Sequence, residues 1–378
     1  MNPIKTSEAK ARLIAFYLPQ FHPISENDRW WGPGFTEWTN VAKAKPLFPG
    51  HYQPHIPADL GFYDLRVSET RAAQAEMAKK YGIEGFCYWH YWFNGKRLLE
   101  KPFNEVLKSG EPDFPFCLAW ANESWTGVWH NLPNKIMMEQ TYGGEKDYTQ
   151  HFYSLLPAFH DKRYIKVEDK PLFAIYRSND LQDAKGFTSL WNKLAIKEGL
   201  KGLFFVGITG RKYSDTAHYF DGFTYNLPAT FINHLSSTIM AKAFEKITGN
   251  HWQTYTRRYL RLPKIIQYSK AVYGAFKNVR FEENYFPSIL PNWDNTPRCG
   301  LRGVVLHDSR PEIFQAHLKE ALSLIQDKKR DKRIIFIKSW NEWAEGNYLE
   351  PDQKFGHEFL KMIKEEVFVD NYEETPYH

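Results

Sequence analysis

Two glutamates three residues apart, Glu342 and Glu345, lie in the stretch I-I-F-I-K-S-W-N-E-W-A-E-G-N-Y-L-E-P-D that runs from Ile334 to Asp352. On a single helical turn their Cβ atoms would lie roughly 5–6 Å apart on one face. Carboxyl groups so placed can share out the work of glycosidic chemistry: one protonates the leaving oxygen, and the other acts as base or nucleophile on the far side of the sugar. Trp340 and Trp343 flank the pair, and indole faces are natural platforms for the C–H faces of sugar rings; Asn341 adds an amide. Taken alone, E-x-x-E reads as readily as a surface turn carrying two solvated glutamates, because Glu is usually exposed. The residues in front of it argue otherwise. Ile334, Ile335, Phe336 and Ile337 form a continuous apolar run of the kind found in a strand buried on both faces, so the carboxylates stand where that strand ends.

Polar and aromatic residues gather at other strand ends in the same way. An apolar run at 84–91 finishes in Trp89, His90, Tyr91 and Trp92, and one at 116–121 leads through Trp120 into Asn122, Glu123 and Trp125. Asn226 follows a run at 220–225, and Trp293 and Asp294 follow one at 285–291. Between residues 19 and 67 a long connection rich in Pro, Gly, His and Trp holds His22, Glu37, Trp38, His51 and His55; loops of such length are usually functional when they are not disordered, and the aromatic content argues against disorder. Asn, Asp, Tyr and His together supply the donors and acceptors that sugar hydroxyls need. These residues, with Glu342 and Glu345, are the candidate site. For any one of them a satisfied, partly buried side chain is the plain alternative.

The elements that must position them alternate. Strands are expected at 13–18, 84–91, 116–121, 172–176, 203–208, 220–225, 285–291 and 334–339, and helices at 67–81, 98–109, 146–159, 181–198, 311–325 and 355–367. Eight strands alternating with helices is the count of an α/β (β/α)8 TIM-like barrel, where residues just past the strands share one rim. A doubly wound sheet would carry a Gly-rich loop after the first strand, and Pro19-Gln20-Phe21-His22 is not one. Residues 228–284 read as an insertion of two or three helices before strand seven, with a basic patch at Arg257, Arg258, Arg261 and Lys264. The whole chain, 1–378, is expected to form one catalytic domain.

Composition narrows the function. With 49 Lys and Arg against 44 Asp and Glu the formal charge is only +5, so nucleic acid is not the expected partner. Aromatic residues make up 17% of the chain, and Trp and Tyr concentrate where a polar atom must meet a partner or water. Cys87, Cys117 and Cys299 have no metal-like spacing, and no H-E-x-x-H, C-x-x-C, Walker or nucleophile-elbow pattern occurs, so neither metal nor cofactor is expected. The run at 13–18 is a strand and not a signal peptide, and no run reaches the roughly 18 apolar residues of a membrane span; a soluble, cytoplasmic protein is expected.

The stretch S-W-N-E-W-A-E-G-N-Y-L-E-P also resembles the signature of the WbsX-type proteins of bacterial polysaccharide gene clusters, relatives of glycoside hydrolase family 99, the endo-α-mannosidases and endo-α-mannanases. Further blocks are similar in the same order: F-Y-L-P-Q-F-H-P, F-T-E-W-T-N-V, H-Y-Q-P-H-I-P, G-F-C-Y-W-H-Y-W-F, L-A-W-A-N-E-S-W and P-N-W-D-N-T-P-R. The resemblance implies the barrel independently. It implies too that Glu342 is a base toward the sugar 2-hydroxyl and Glu345 a general acid, acting with net retention through a 1,2-anhydro sugar. The mannosidase pattern places a His where this chain has Ala344, so the resemblance extends to the pair and not to mannose specificity.

The function expected is therefore cleavage or transfer of an α-glycosidic linkage in a bacterial surface polysaccharide or its precursor, with an oligosaccharide or polysaccharide as substrate. Two other readings stay open: a glycan-binding barrel without turnover, and a nucleotide-sugar-dependent glycosyltransferase of O-antigen or capsule synthesis.

Overall fold

The computed structural model describes residues 9–127, 132–209, 217–227, 246–247, 251–273, 275–276 and 283–368. Eight strands form the central sheet: β1 (Arg12–Tyr17), β2 (Gly85–Phe93), β3 (Phe116–Trp120), β4 (Lys170–Ile175), β5 (Phe204–Thr209), β6 (Gly222–Tyr225), β7 (Ser288–Ile289) and β8 (Ile334–Ile337). Nearly every residue in them is buried, as their unbroken apolar sequences require of strands covered on both faces. They run parallel in the order β6-β5-β4-β3-β2-β1-β8-β7. Among the described residues the seam between β6 and β7 is joined by one bridge, Phe223 to Tyr285, with Phe223 N–H donating to Asn284 O (2.9 Å) and Phe286 N–H to Phe223 O (2.9 Å). The result is a nearly closed eight-stranded parallel barrel, as expected.

The helices are α1 (Ser25–Trp31), α2 (Glu37–Lys43), α3 (Ser68–Lys80), α4 (Lys101–Ser109), α5 (Gly144–Phe159), α6 (Ala184–Lys197), α7 (Trp252–Tyr259), α8 (Tyr268–Val272), α9 (Thr296–Cys299), α10 (Pro311–Ser323) and α11 (Glu358–Val367). Local chemistry sets their ends. Asp183 accepts from Gly186 N–H (2.9 Å) at the start of α6, and Gly110, with φ of 76°, ends α4 in the left-handed conformation.

Three expectations need correction. The long connection after β1 is not structureless: α1 and α2 fold within it, and α2 opens on a capping box between Thr36 and Thr39. The described part of the insertion is not wholly helical, since a strand, Lys264–Gln267, lies between α7 and α8 and pairs in parallel with Val304–His307; the rest of it lies outside the described residues. Strand seven is shorter than 285–291: beyond Ile289 the chain leaves the sheet, and Tyr268 donates its hydroxyl to Leu290 O (2.6 Å).

Candidate active site

Beyond β8 the chain is tied down at each step. Trp340 N–H donates to Phe16 O (2.8 Å), and the Asn341 side chain both accepts from Leu18 N–H (2.7 Å) and donates to Leu18 O (3.1 Å), locking the end of β8 to the end of β1. Asn341–Glu342 then pairs antiparallel with Asn347–Tyr348, and a 3-10 turn, Trp343–Glu345, closes this small hairpin. Gly346 completes the reversal with φ of 59°, and a Cβ there would come within 2.9 Å of Asp294 N, so both backbone and space require glycine. Glu345 O accepts from Asp294 N–H (2.7 Å), which couples the acid-bearing turn to the segment following β7. The two glutamates thus sit on a pinned turn, not on a mobile loop.

Both carboxylates line one cavity of about 390 Å³ at the C-terminal end of the barrel, within the range of small-molecule sites. Trp89, Trp125, Tyr176 and Trp293 supply its aromatic wall, and α1 adds Trp30 and Trp31. Glu342 is buried and accepts from Trp89 Nε1 (2.7 Å) and Asn347 Nδ2 (3.2 Å), with Lys338 Nζ 4.0 Å away. Glu345 is also buried and accepts from Arg298 Nη1 (2.7 Å). The other guanidinium nitrogen of Arg298 bonds the wholly buried Glu37, which also accepts from Ala344 N–H (3.2 Å).

The environment separates the groups chemically. Burial pushes the Glu345 carboxyl up to about 7, with the negative Glu342 adding to the rise and Arg298 and Lys338 opposing it. Burial likewise raises Glu37 against the pull of Arg298. Arg298 is held above its ordinary range because Glu37, Glu345 and Glu342 outweigh its burial, and Lys338 is raised in the same manner, chiefly by Glu342. A carboxyl that holds a proton near neutrality, next to a second carboxylate in a Trp-walled cavity, can act as an acid while its neighbour serves as base or charge stabiliser.

Of the candidate residues, Trp89, Glu123, Trp125, Asn226, Trp293, Glu342 and Glu345 line the cavity. The others do not. His90 and Trp92 face away from it, where His90 Nε2 meets His151 Nε2 (2.8 Å) and Trp92 Nε1 donates to Asp147 (2.9 Å) on α5. Trp120 stacks on Phe187 of α6 and donates to Trp92 O (3.2 Å). Asn122 bonds the Arg177 backbone on both sides and the Tyr142 hydroxyl. His22 is bonded to Pro19 O (3.0 Å), and His55 stacks on Tyr52 and bonds the Tyr348 hydroxyl (2.9 Å). Trp38 donates to Tyr63 O (2.7 Å), while Trp340 and Trp343 are fully buried, Trp343 stacked on Tyr348 and donating to Glu350 (2.6 Å). Asp294 is bonded by His51, Gln53 and Thr296, whose bonds hold its carboxyl below the usual range although burial opposes them. Asn341 is the clamp described above. These residues build the rim and do not face the space inside it.

Sequence reasoning passed over Lys338, Arg298 and Tyr176. Lys338 and Arg298 were within reach, because the first interrupts an apolar strand and the second ends the block P-N-W-D-N-T-P-R. Among the described residues no group of three or more His, Cys, Asp or Glu could hold a metal ion.

The sequence model of the family described as glycosyltransferase WbsX matches residues 13–363. The chain belongs to the WbsX family. An uncharacterized protein WxcX of Xanthomonas campestris pv. campestris is 32% identical over 358 residues, covering 94% of this chain and 49% of the relative. The chain therefore spans about half the length of the curated relatives it matches. Among solved structures, a glycoside hydrolase-like protein superposes with a TM-score of 0.58 at 15% identity, covering 98% of this chain and 97% of that one. The GH99 endo-alpha-mannosidase of Bacteroides thetaiotaomicron, in complex with bis-tris-propane, superposes with a TM-score of 0.55 at 18% identity, covering 94% and 95%. At such identities the likeness is one of fold, so this chain and these hydrolase structures share the barrel.

Proposed function

We propose that this WbsX-family chain is a carbohydrate-active enzyme that breaks or transfers an α-glycosidic bond of a polysaccharide or its precursor. The observation that carries the reading is the pair Glu342 and Glu345, both opening onto one Trp-walled cavity, with one carboxyl raised to about 7. Glu345 gives its proton to the departing glycosidic oxygen. Glu342 takes the proton of the neighbouring 2-hydroxyl, whose oxygen forms a bond to the anomeric carbon as the glycosidic bond breaks. In the second half Glu345, now ionised, deprotonates water or an acceptor hydroxyl, and that oxygen opens the 1,2-anhydro ring while Glu342 returns its proton to O2. Two inversions leave net retention. Stacking on Trp89, Trp125 or Trp293 would orient the sugar.

The test offers α-linked oligosaccharides and, separately, sugar nucleotides to the purified protein, and follows the first-formed anomer by NMR. Retention is expected, with Glu342→Gln and Glu345→Gln each losing about 10²–10⁴ in kcat, the span of general acid–base contributions. Turnover by both variants at the wild-type rate, or an inverted product, would defeat the proposal. The family's description favours transfer as a second reading; consumption of a sugar nucleotide, with the oligosaccharides untouched, would establish that one instead.

A further inference from the structure

The charge of this chain is segregated. From Lys246 to Phe281 the sequence holds eight Lys and Arg and no Asp or Glu, whereas the chain as a whole is only +5, so the remainder is net acidic. The described residues of this stretch are also apolar at their surface. Of the ten exposed large apolar side chains among the described residues, five fall in it: Ile247, Tyr259, Leu260, Ile265 and Tyr273. Helix α7 buries none of its side chains, and Trp252, Tyr255 and Tyr259, at positions i, i+3 and i+7, form one stripe along it, with ring centroids 5.9 and 5.1 Å apart. Arg257, Arg258 and Arg261 accompany the stripe, and the Arg258 guanidinium lies 5.7 Å from the Tyr259 ring. Among the described residues no carboxylate pairs with any of the three.

We infer that the described segment 252–261, α7 with Leu260 and Arg261 after it, is a docking surface for an anionic phospholipid bilayer. Charge complementarity alone would suit any polyanion. Exposed Tyr259 and Leu260 beside the arginines distinguish the bilayer, because a phosphate backbone or an acidic glycan offers nothing for aliphatic side chains to enter, whereas a membrane interface takes cations at its headgroups and aromatic and aliphatic groups just below them. No helix among the described residues is long and apolar enough to cross a membrane, and the contact inferred is a peripheral one. Its position has a consequence for the cavity. The strand Lys264–Gln267 pairs with Val304–His307, whose Leu306 N–H donates to Trp293 O (2.7 Å), so the bilayer contact lies one strand away from a wall of the cavity. The inference does not depend on the chemistry proposed for Glu342 and Glu345.

Sedimentation of the full chain with vesicles tests it. Vesicles of phosphatidylcholine with about a third phosphatidylglycerol should carry the protein down, pure phosphatidylcholine should not, and raising NaCl from 0.1 to 1 M should release it as the screening length falls from about 10 to about 3 Å. The triple variant Arg257→Gln, Arg258→Gln, Arg261→Gln is expected to bind on the order of 100-fold more weakly, each cation near an anionic surface being worth roughly a factor of five. Tyr259→Ser with Leu260→Ser should weaken binding without changing its salt dependence. A control with the same charge change on the exposed face of α6, Lys185→Gln, Lys193→Gln, Lys197→Gln, should bind as wild type. Equal binding to both vesicle types, binding to neither, equal loss in the control, or displacement by dextran sulfate with the Tyr259 and Leu260 variant unaffected would overturn it.

Discussion

Glu345 makes pH an instrument for reading this site. Its carboxyl is raised from an ordinary 4.5 to about 7, so between those values the folded protein keeps a proton that the unfolded chain has released. The native state then binds more protons than the unfolded one, and stability falls as pH rises through the interval, by on the order of 3 kcal/mol for the full displacement. Replacing Glu345 with Gln removes the titrating group while Arg298 keeps Glu37 as partner. Chemical denaturation between pH 5 and 8 is therefore expected to show Glu345→Gln gaining stability relative to wild type as pH increases. An identical slope in the two proteins would mean that the carboxyl titrates normally. On the proposed mechanism activity carries the same signature with a different readout: an acid that must be protonated gives an alkaline limb near pH 7 in kcat/KM, and that limb should vanish in Glu345→Gln along with most of the rate.

The hairpin that carries the pair is held from beneath by another carboxylate, Glu350, which accepts from Trp343 Nε1 (2.6 Å), the Tyr63 hydroxyl (2.8 Å) and Gln74 Nε2 (2.6 Å) in a fully enclosed position. Glu350→Ala strands three buried donors, each costing about 1–3 kcal/mol, so a loss of roughly 3–9 kcal/mol is expected in urea denaturation. Tyr63→Phe removes a donor together with its bond and should cost only about 1 kcal/mol; equal losses would show that the network is not what supports the hairpin. Glu350 sits in the stretch that drew attention first, yet a sequence does not distinguish a carboxylate that meets substrate from one that braces the turn. The same limit governs the strand-end aromatics. Side chains alternate along a strand, so Trp89 and Tyr91 enter the cavity while His90 and Trp92 between and beyond them turn out toward α5. Composition marks a cluster at the end of β2; only the register of β2 with β1 and β3 decides which half of it faces inward. Strand existence was legible from apolar runs, and the helices from their periodicity. The block that ends in Arg298 was legible too, but not the bridge Arg298 makes, because its partners Glu37 and Glu345 lie 261 and 47 positions away in the chain.

At the scale of the molecule the cavity exists because eight strands nearly close, and the closure is uneven. Most neighbours share a ladder of several residues, while β6 and the segment before β7 meet through a single bridge at Phe223 and Tyr285, backed by the contact of the Thr224 and Ser288 hydroxyls (2.6 Å). Both flanks of the seam contribute to the cavity: Asn226, just past β6, lines it, and the chain after β7 leads to Trp293 and Arg298, which line it too. Gly222 is what lets the flanks approach. A Cβ at this position would run into the Phe286 ring and stand 3.0 Å from Asn284 O, a backbone atom that cannot rotate away. Gly222→Ala should therefore destabilise by about 1–3 kcal/mol, the usual cost of overpacking, although alanine is ordinarily better tolerated than glycine in a strand. Because the strain falls on the seam, amide hydrogen exchange is expected to rise first at Phe223 and Phe286, whose N–H groups make the closing bonds, while the β1–β2 ladder stays protected. Uniform loss of protection across the barrel would mean that β6 and β7 are no weaker than the rest. Pairing Gly222→Ala with Phe286→Leu, which withdraws the ring edge from the clash, should return part of the stability and restore protection at the seam.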